Sequence, residues 1–170
     1  PIEFAEVASM SMELLTQPWW DKFYDSEDAA RARRTHLEGV VFLLPWIVTI
    51  DSFQHWIYAN PGHSREERAE VWLSIRDKFG SDMDWTGHTD FRELSWQQQG
   101  HLFGVPFYYI EYGIAQLGSL QLWKTQMSDP QKALDDYSSA MSLGNTRTLP
   151  DLFSAADLKL GFDEGHFMSL

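Results

Sequence analysis

The sequence predicts an all-α protein, organised as one continuous unit over residues 1–170, and three observations predict it. Apolar residues recur at the three- and four-residue spacings of a helix face along most of the chain. Prolines and glycines stand where helices start and stop. No stretch alternates apolar and polar residues as a half-buried strand does, and no repeat or low-complexity linker interrupts the pattern.

The elements follow in order. The first helix is expected from about Ile2 to Thr16, ending before Pro18 because the residue ahead of a proline is pushed out of helical geometry. "PWWDKFYDS" reads as an aromatic connection with a helical turn at Pro18. A long helical region is expected from about Glu27 to Tyr58, charged first and apolar later, with Pro45 kinking or dividing it and "ANPGH" ending it. Its run "VVFLLPWIVTI" is shorter than the roughly 20 residues of a membrane span and is followed by Asp51, so it reads as a buried helix. Ser64 and Glu67 have capping-box spacing, and Gly80 is a natural stop. "SDMDWTGHTDF" reads as irregular, and the glycines around "HLF" suggest a loop. Pro106 is expected to open a long helix, Asp129 and Pro130 to open the next, Gly144 to close it, and "LPDLFSAADL" to form a short one.

Composition excludes several functions. The formal net charge of −12 repels phosphate backbones, so no nucleic-acid partner is expected. With no cysteine there is no disulfide, thiolate metal site or cysteine nucleophile, and the chain fits a reducing, cytoplasmic setting. No basic, apolar leader opens the sequence, which predicts neither a signal peptide nor a membrane partner. Pro1 in place of an initiator Met, and an end inside the apolar turn of "DEGHFMSL", predict a piece of a longer protein. The 8 Trp, 11 Phe and 6 Tyr supply enough ring surface for a sizeable core or a lined groove.

Candidate chemistry is confined to a few stretches. In "EFAEVASMSMELL", Glu6 and Glu13 fall two turns apart on one helix stripe. Such a stripe is either a solvated polar face or a metal ligand followed by a carboxylate that orients a neighbouring ligand. In "GHLFGVPFYYIEY", His101 stands between Gly100 and Gly104, where the backbone can approach a ligand closely. Tyr108, Tyr109 and Tyr112 lie at spacings that can bring their hydroxyls to one locus. That patch is either aromatic core or a set of neutral donors for an oxyanion, a task phenol and imidazole perform without burying a formal charge. Asp51 with His55 reads as a buried hydrogen-bonded pair, and His88 with Asp90 as a turn; His36, His63 and His166 have no evident partner in sequence. No His-Glu-x-x-His, Gly-x-Ser-x-Gly, phosphate loop or EF-hand is present.

Several of these stretches together resemble the thimet oligopeptidase and oligoendopeptidase F family of zinc peptidases. "FAEVASMSMELL" resembles the segment that supplies the third zinc ligand, and "HLEGVVFLLPWIVTIDSFQHWIYANPGHS" the long helix and turn of the bacterial branch. "GHLFGVPFYYIEYGIAQLGSLQLW" resembles the His and Tyr segment, and "YSSAMSLGNTRTLPDLFSAADLKLGFD" the tail. The resemblance implies Glu6 as a zinc ligand and Glu13 as the carboxylate that orients a ligating histidine. It implies His101 as a contact to the substrate backbone and Tyr112, with Tyr109 or Tyr108, as oxyanion donors. Gly100 and Gly104 would belong to a flexible loop over bound peptide. The helix with the two ligating histidines and the general-base glutamate has no counterpart here. The resemblance therefore implies the C-terminal part of a zincin-like catalytic domain, with short peptides and the rest of that domain as partners. Such a part is inactive alone, and zinc is absent from it or held weakly. The competing expectation is a non-catalytic helical module that binds a peptide or protein partner.

Overall fold

The computed structural model describes residues 3–81 and 83–170. The expected start of the first helix at Ile2, and Asp82 of the irregular segment, lie outside the described residues. The described elements are helical, as the sequence predicts, and gather in two compact units, one of residues 1–37 with 111–170 and one of residues 38–110.

In the first unit, α1 (Glu3–Leu15), α6 (Ile110–Ser128, from Glu111 onward), α7 (Pro130–Ser142) and α8 (Leu149–Ala155) close around one apolar core. Phe4, Val7 and Leu15 of α1 meet Ala115 and Leu122 of α6, Ala133 and Ala140 of α7, and Leu152 and Phe153 of α8. The rings of Phe4 and Phe153 meet edge to face with centroids 5.8 Å apart. Close approach is bought by a glycine: a Cβ on Gly118 would stand 3.2 Å from Phe153 Cζ and 3.4 Å from Val7 Cγ2. Polar side chains tie the ends. Gln126 Nε2 donates to the Leu15 carbonyl at 2.6 Å, satisfying an acceptor left open where α1 stops. Asp129 caps α7, with Pro130 behind it, and Gly144 turns the chain at φ +53°. Thr148 and Asp151 form a capping box on α8. A one-turn helix, α9 (Glu164–Phe167), is capped by Asp163.

Pro18 does shape the connection after α1, as one 3-10 segment over Gln17–Lys22. The long region forms a single helix, α2 (Ser26–Ala59), with Pro45 inside it. Pro45 does not divide the helix: the carbonyl that loses a donor to proline is that of Val41, on a turn where Val41 and Phe42 are both about two-thirds exposed. The expectation of a buried apolar run holds on one face only. Val40, Ile47, Ile50 and Phe53 form a buried stripe, while Val41, Phe42 and Val48 are exposed. Among the described residues α2 is the one helix long and apolar enough to cross a membrane by length and composition.

The second unit is built on indole rings. Trp72 of α3 (Arg65–Phe79) is fully buried against Phe53, 4.9 Å between centroids, and Trp46, 6.0 Å. Its Nε1 donates to the Arg92 carbonyl at 2.9 Å, so the buried indole keeps its polar end satisfied. The Arg76 guanidinium lies 5.0 Å over the Trp46 ring and Arg68 lies 5.1 Å over Trp96. The Ser64–Glu67 capping box opens α3 as its spacing predicts. Gly80 ends it with extended backbone, and a Cβ there would fall 2.3 Å from the Arg76 carbonyl oxygen. The segments read as irregular or looped hold short helices, α4 (Thr89–Leu94) and α5 (His101–Gly104), with a 3-10 turn over Ser95–Gln98 between them.

One boundary differs from expectation by four residues. The long helix begins at Ile110 and not at Pro106. Phe107, at φ +61°, breaks the helical path between them. Its ring is held between His55, 5.0 Å, and Tyr58, 4.8 Å.

Candidate functional site

The candidate residues are distributed over both units, and each unit assembles its own set. In the first, α1 carries Glu6 and Glu13. Glu6 is half-buried, and Ser9 Oγ donates to its carbonyl at 3.1 Å and lies 3.4 Å from its Oε2. On α6, Glu111 and Tyr112 follow one another within the same unit. Burial pushes the Tyr112 phenol above its ordinary range, and the charges of Glu6 and Glu111 push it further. Burial likewise raises the Glu111 carboxyl, with Glu3 and Glu6 adding to the effect. These couplings place Glu3, Glu6, Glu111 and Tyr112 in one negative field. A phenol in that field keeps its proton at neutral pH and serves as a donor, not as a base.

Glu111 Oε2 is buried with no hydrogen-bond partner. A buried carboxylate oxygen without a donor, beside a second carboxylate, is an environment that favours a cation or a proton. Among the described residues no three His, Asp or Glu side chains converge to hold a metal ion. The donors therefore fit one corner of a metal site, with Glu6 able to give an oxygen ligand, and do not make a cage by themselves.

Glu13 sits lower on the stripe and is exposed, yet it has a fixed neighbour. His36 of α2 places Nε2 at 3.1 Å from Glu13 Oε2 and Nδ1 at 2.9 Å from Gln17 Nε2. No partner for His36 is legible in the sequence, because Glu13, Gln17 and His36 stand on three different elements and share no spacing. The signal for Glu111 in the sequence is an acidic residue inside the apolar run "YYIEYG".

In the second unit His101 opens α5 and gathers two of the tyrosines. The Tyr108 ring stacks on the imidazole at 6.2 Å and the Tyr109 ring meets it edge on at 4.9 Å. Gln99 Nε2 lies 2.6 Å from His101 Nδ1. Tyr109 is buried, and Tyr108 is half-buried. Neither Gly100 nor Gly104 has a positive φ, and an added Cβ would meet nothing within 4 Å at either, so this conformation demands glycine at neither position. Asp51 and His55 pair at 3.5 Å, but the His55 side chain is 67% exposed, so the pair is half open to solvent and not buried as expected. Burial raises the Asp51 carboxyl and His55 partly offsets it. His63 Nδ1 lies 2.6 Å from the Asn60 carbonyl, bracing the turn before α3.

Comparison with known proteins bears on the whole chain. The model of peptidase family M3 matches residues 1–167. No curated protein matches. Among solved structures, PZ peptidase A with an inhibitor is similar at TM-score 0.91 and 34% identity, covering 98% of this chain and 30% of that one. A structure assigned as oligoendopeptidase F is similar at TM-score 0.86 and 37% identity, covering 98% and 30%. Another so assigned, from Bacillus anthracis, is similar at 0.79 and 33%, covering 99% and 27%. The chain thus spans less than a third of the length of the structures it matches.

Proposed function

The chain belongs to peptidase family M3, and from that premise we propose that it is the C-terminal part of a cytoplasmic zinc oligoendopeptidase acting on short peptides. The observation that carries this reading is the match of peptidase family M3 over residues 1–167, and the Tyr112 phenol that feels the charge of Glu6 is consistent with it. A metal-ligating carboxylate and a protonated phenol are two of the parts that peptide hydrolysis at a metal requires.

In the intact enzyme Glu6 supplies one oxygen ligand to zinc, and the two histidine ligands and the general-base glutamate come from outside this chain. Zinc, when bound, acidifies water and polarises the scissile carbonyl. Glu13 accepts a hydrogen bond from the far nitrogen of a ligating imidazole and so fixes its tautomer and ring plane. The Tyr112 hydroxyl donates a hydrogen bond to the oxyanion that develops as the carbonyl becomes tetrahedral, and keeps its proton. A phenol is protonated at neutral pH in any case, and the upward push from burial, Glu6 and Glu111 acts in the same sense. Tyr109 or Tyr108 gives a second donor, and His101 holds the substrate backbone, its ring oriented by Gln99. Gly100 and Gly104 leave the backbone around His101 free of side-chain bulk where peptide passes.

Replacing Tyr112 by Phe in the intact enzyme tests the reading. The kcat is expected to fall by roughly 10²–10³, the usual loss for one oxyanion donor, with KM nearly unchanged. An unchanged kcat removes Tyr112 from the chemistry.

A second reading is favoured by an open groove of about 990 Å³ in the first unit, lined by Trp19, Trp20, Phe23 and Tyr24. Such a groove suits a non-catalytic module that binds a peptide or partner. The coding sequence separates the two readings. The peptidase needs a His-Glu-x-x-His helix about 20–30 residues ahead of Glu6, close enough to share one zinc site.

A further inference from the structure

We infer that His36 is a positioning residue for the zinc centre, acting through Glu13. The inference rests on the preceding reading of Glu13 and adds a residue that no motif marks.

The geometry begins with Gln17, which is only 5% exposed and therefore a fixed point. Its backbone carbonyl accepts from Arg33 Nε at 3.2 Å and Nη2 at 3.0 Å, and Arg33 Nη2 also reaches Asp21 Oδ1 at 2.9 Å. Arg33 and His36 are three residues apart on α2 and lie on one face. The Gln17 amide nitrogen meets His36 Nδ1 at 2.9 Å, and His36 Nε2 meets Glu13 Oε2 at 3.1 Å. The Trp20 ring lies against the imidazole at 5.9 Å, its own Nε1 donating to Thr16 Oγ1 at 3.2 Å.

Chemistry assigns the protons along this chain. An ionised carboxylate only accepts, so His36 Nε2 carries the hydrogen; an amide nitrogen only donates, so Nδ1 offers its lone pair. One neutral tautomer satisfies both partners. The imidazole is 22% exposed and the Glu13 side chain 61% exposed. A largely solvated carboxylate is thereby held by an anchor it could not provide for itself. A carboxylate has two oxygens and about four acceptor sites, so the bond from His36 fixes Glu13 while leaving it able to accept from a ligating imidazole. His36 restricts the rotamers of Glu13, and Glu13 restricts that imidazole.

The test uses the full-length peptidase carrying Glu13→Gln, His36→Leu or His36→Gln. Zinc itself is the probe, its apparent Kd read by chelator competition, with Tm of the metal-free proteins measured alongside. Glu13→Gln is expected to weaken zinc by about 10–100-fold, the usual range for a partner that orients a ligand. His36→Leu is expected near the lower end, about tenfold. His36→Gln, which keeps an amide N–H near the place of Nε2–H, is expected to return affinity to within about threefold of the parent. The two His36 variants are expected to share one Tm, so that zinc affinity and stability separate. If Glu13→Gln weakens zinc and His36→Leu does not, the inference falls and the reading of Glu13 survives. If both His36 variants lose zinc in proportion to Tm, His36 is structural and the inference falls. If Glu13→Gln leaves zinc affinity unchanged, the assignment of Glu13 fails first and takes this one with it.

Discussion

At the scale of single residues, Glu111 is the side chain whose charge the fold resists. Burial is the first cause of its raised pKa, then Glu3, then Glu6. A carboxyl whose pKa is higher folded than unfolded holds its proton more tightly in the native state. Its contribution to stability is complete below the ordinary carboxylate value of about 4.3 and is lost as pH rises through the raised value. Glu111→Gln in the metal-free full-length protein removes that loss. Its Tm is expected to exceed the parent's at pH 7, with the two converging toward pH 4. A parent that is the more stable of the two at pH 7 contradicts this account. The same residue shows what the sequence could and could not convey. Glu6 and Tyr112 stand out in the sequence through the family resemblance, since spacing alone leaves a solvated stripe and an aromatic core as readings. Glu111 carries only a weak local signal, an acid among rings, since its strain comes first from burial in the folded unit and then from two glutamates of another helix. His36 carried none, because its partners lie 19 and 23 residues away on separate elements.

At the scale of elements, the contact of α1, α6 and α8 is set by one missing methyl. Gly118 lets Phe153 and Val7 approach α6, with Phe153 Cζ and Cε1 at 3.2 and 3.3 Å from where a Cβ would stand. Gly118→Ala meets two opposed effects. Alanine favours the helix by about 1 kcal/mol over glycine, and overpacking a filled core costs about 1–3 kcal/mol. Phe153 is fully buried and braced by Phe4, so it has little room to yield, and a net loss of about 1 kcal/mol is expected. In a Phe153→Leu background the same exchange is expected to be neutral or favourable, because the ring atoms it would strike are gone. A denaturation cycle over the four proteins measures this, and a coupling below about 0.3 kcal/mol would show that space is not limiting. Caps and stops were the most legible part of the elements. Ser64, Asp129, Gly80 and Gly144 act where their chemistry says they should. The prolines were less legible, because their effect depends on what surrounds them. Pro45 stays inside α2, where the orphaned carbonyl lies on an exposed turn. Pro106 does not open α6, because Phe107 takes a left-handed backbone and its ring lodges between His55 and Tyr58. A ring clamp made by side chains some 50 residues earlier leaves no trace in local propensity.

At the scale of the molecule, the chain holds a core for each unit and, on the reading proposed above, only part of a zinc site. A zinc centre of this chemistry needs three protein ligands and an open position, and no three His, Asp or Glu side chains converge among the described residues. One carboxylate binds zinc weakly in water, since its hydration competes with a single ligand. The 170-residue chain by itself is therefore expected to retain less than about a tenth of an equivalent of zinc after dialysis. It is also expected to leave a quenched fluorescent peptide uncut. The matched structures are more than three times as long, and the unmatched length is where the remaining ligands are expected. The exposed rings and aliphatic groups of α2, α4 and α5 bear on the same point: Phe42, Phe91 and Phe103 are each more than 60% exposed. On the reading proposed above, these side chains pack against the rest of the peptidase. Metal analysis and a peptide assay on the isolated chain, set beside the full-length enzyme, decide the matter. Stoichiometric zinc together with turnover in the isolated chain would mean that the ligands lie within these 170 residues and that Glu6 has been given the wrong companions.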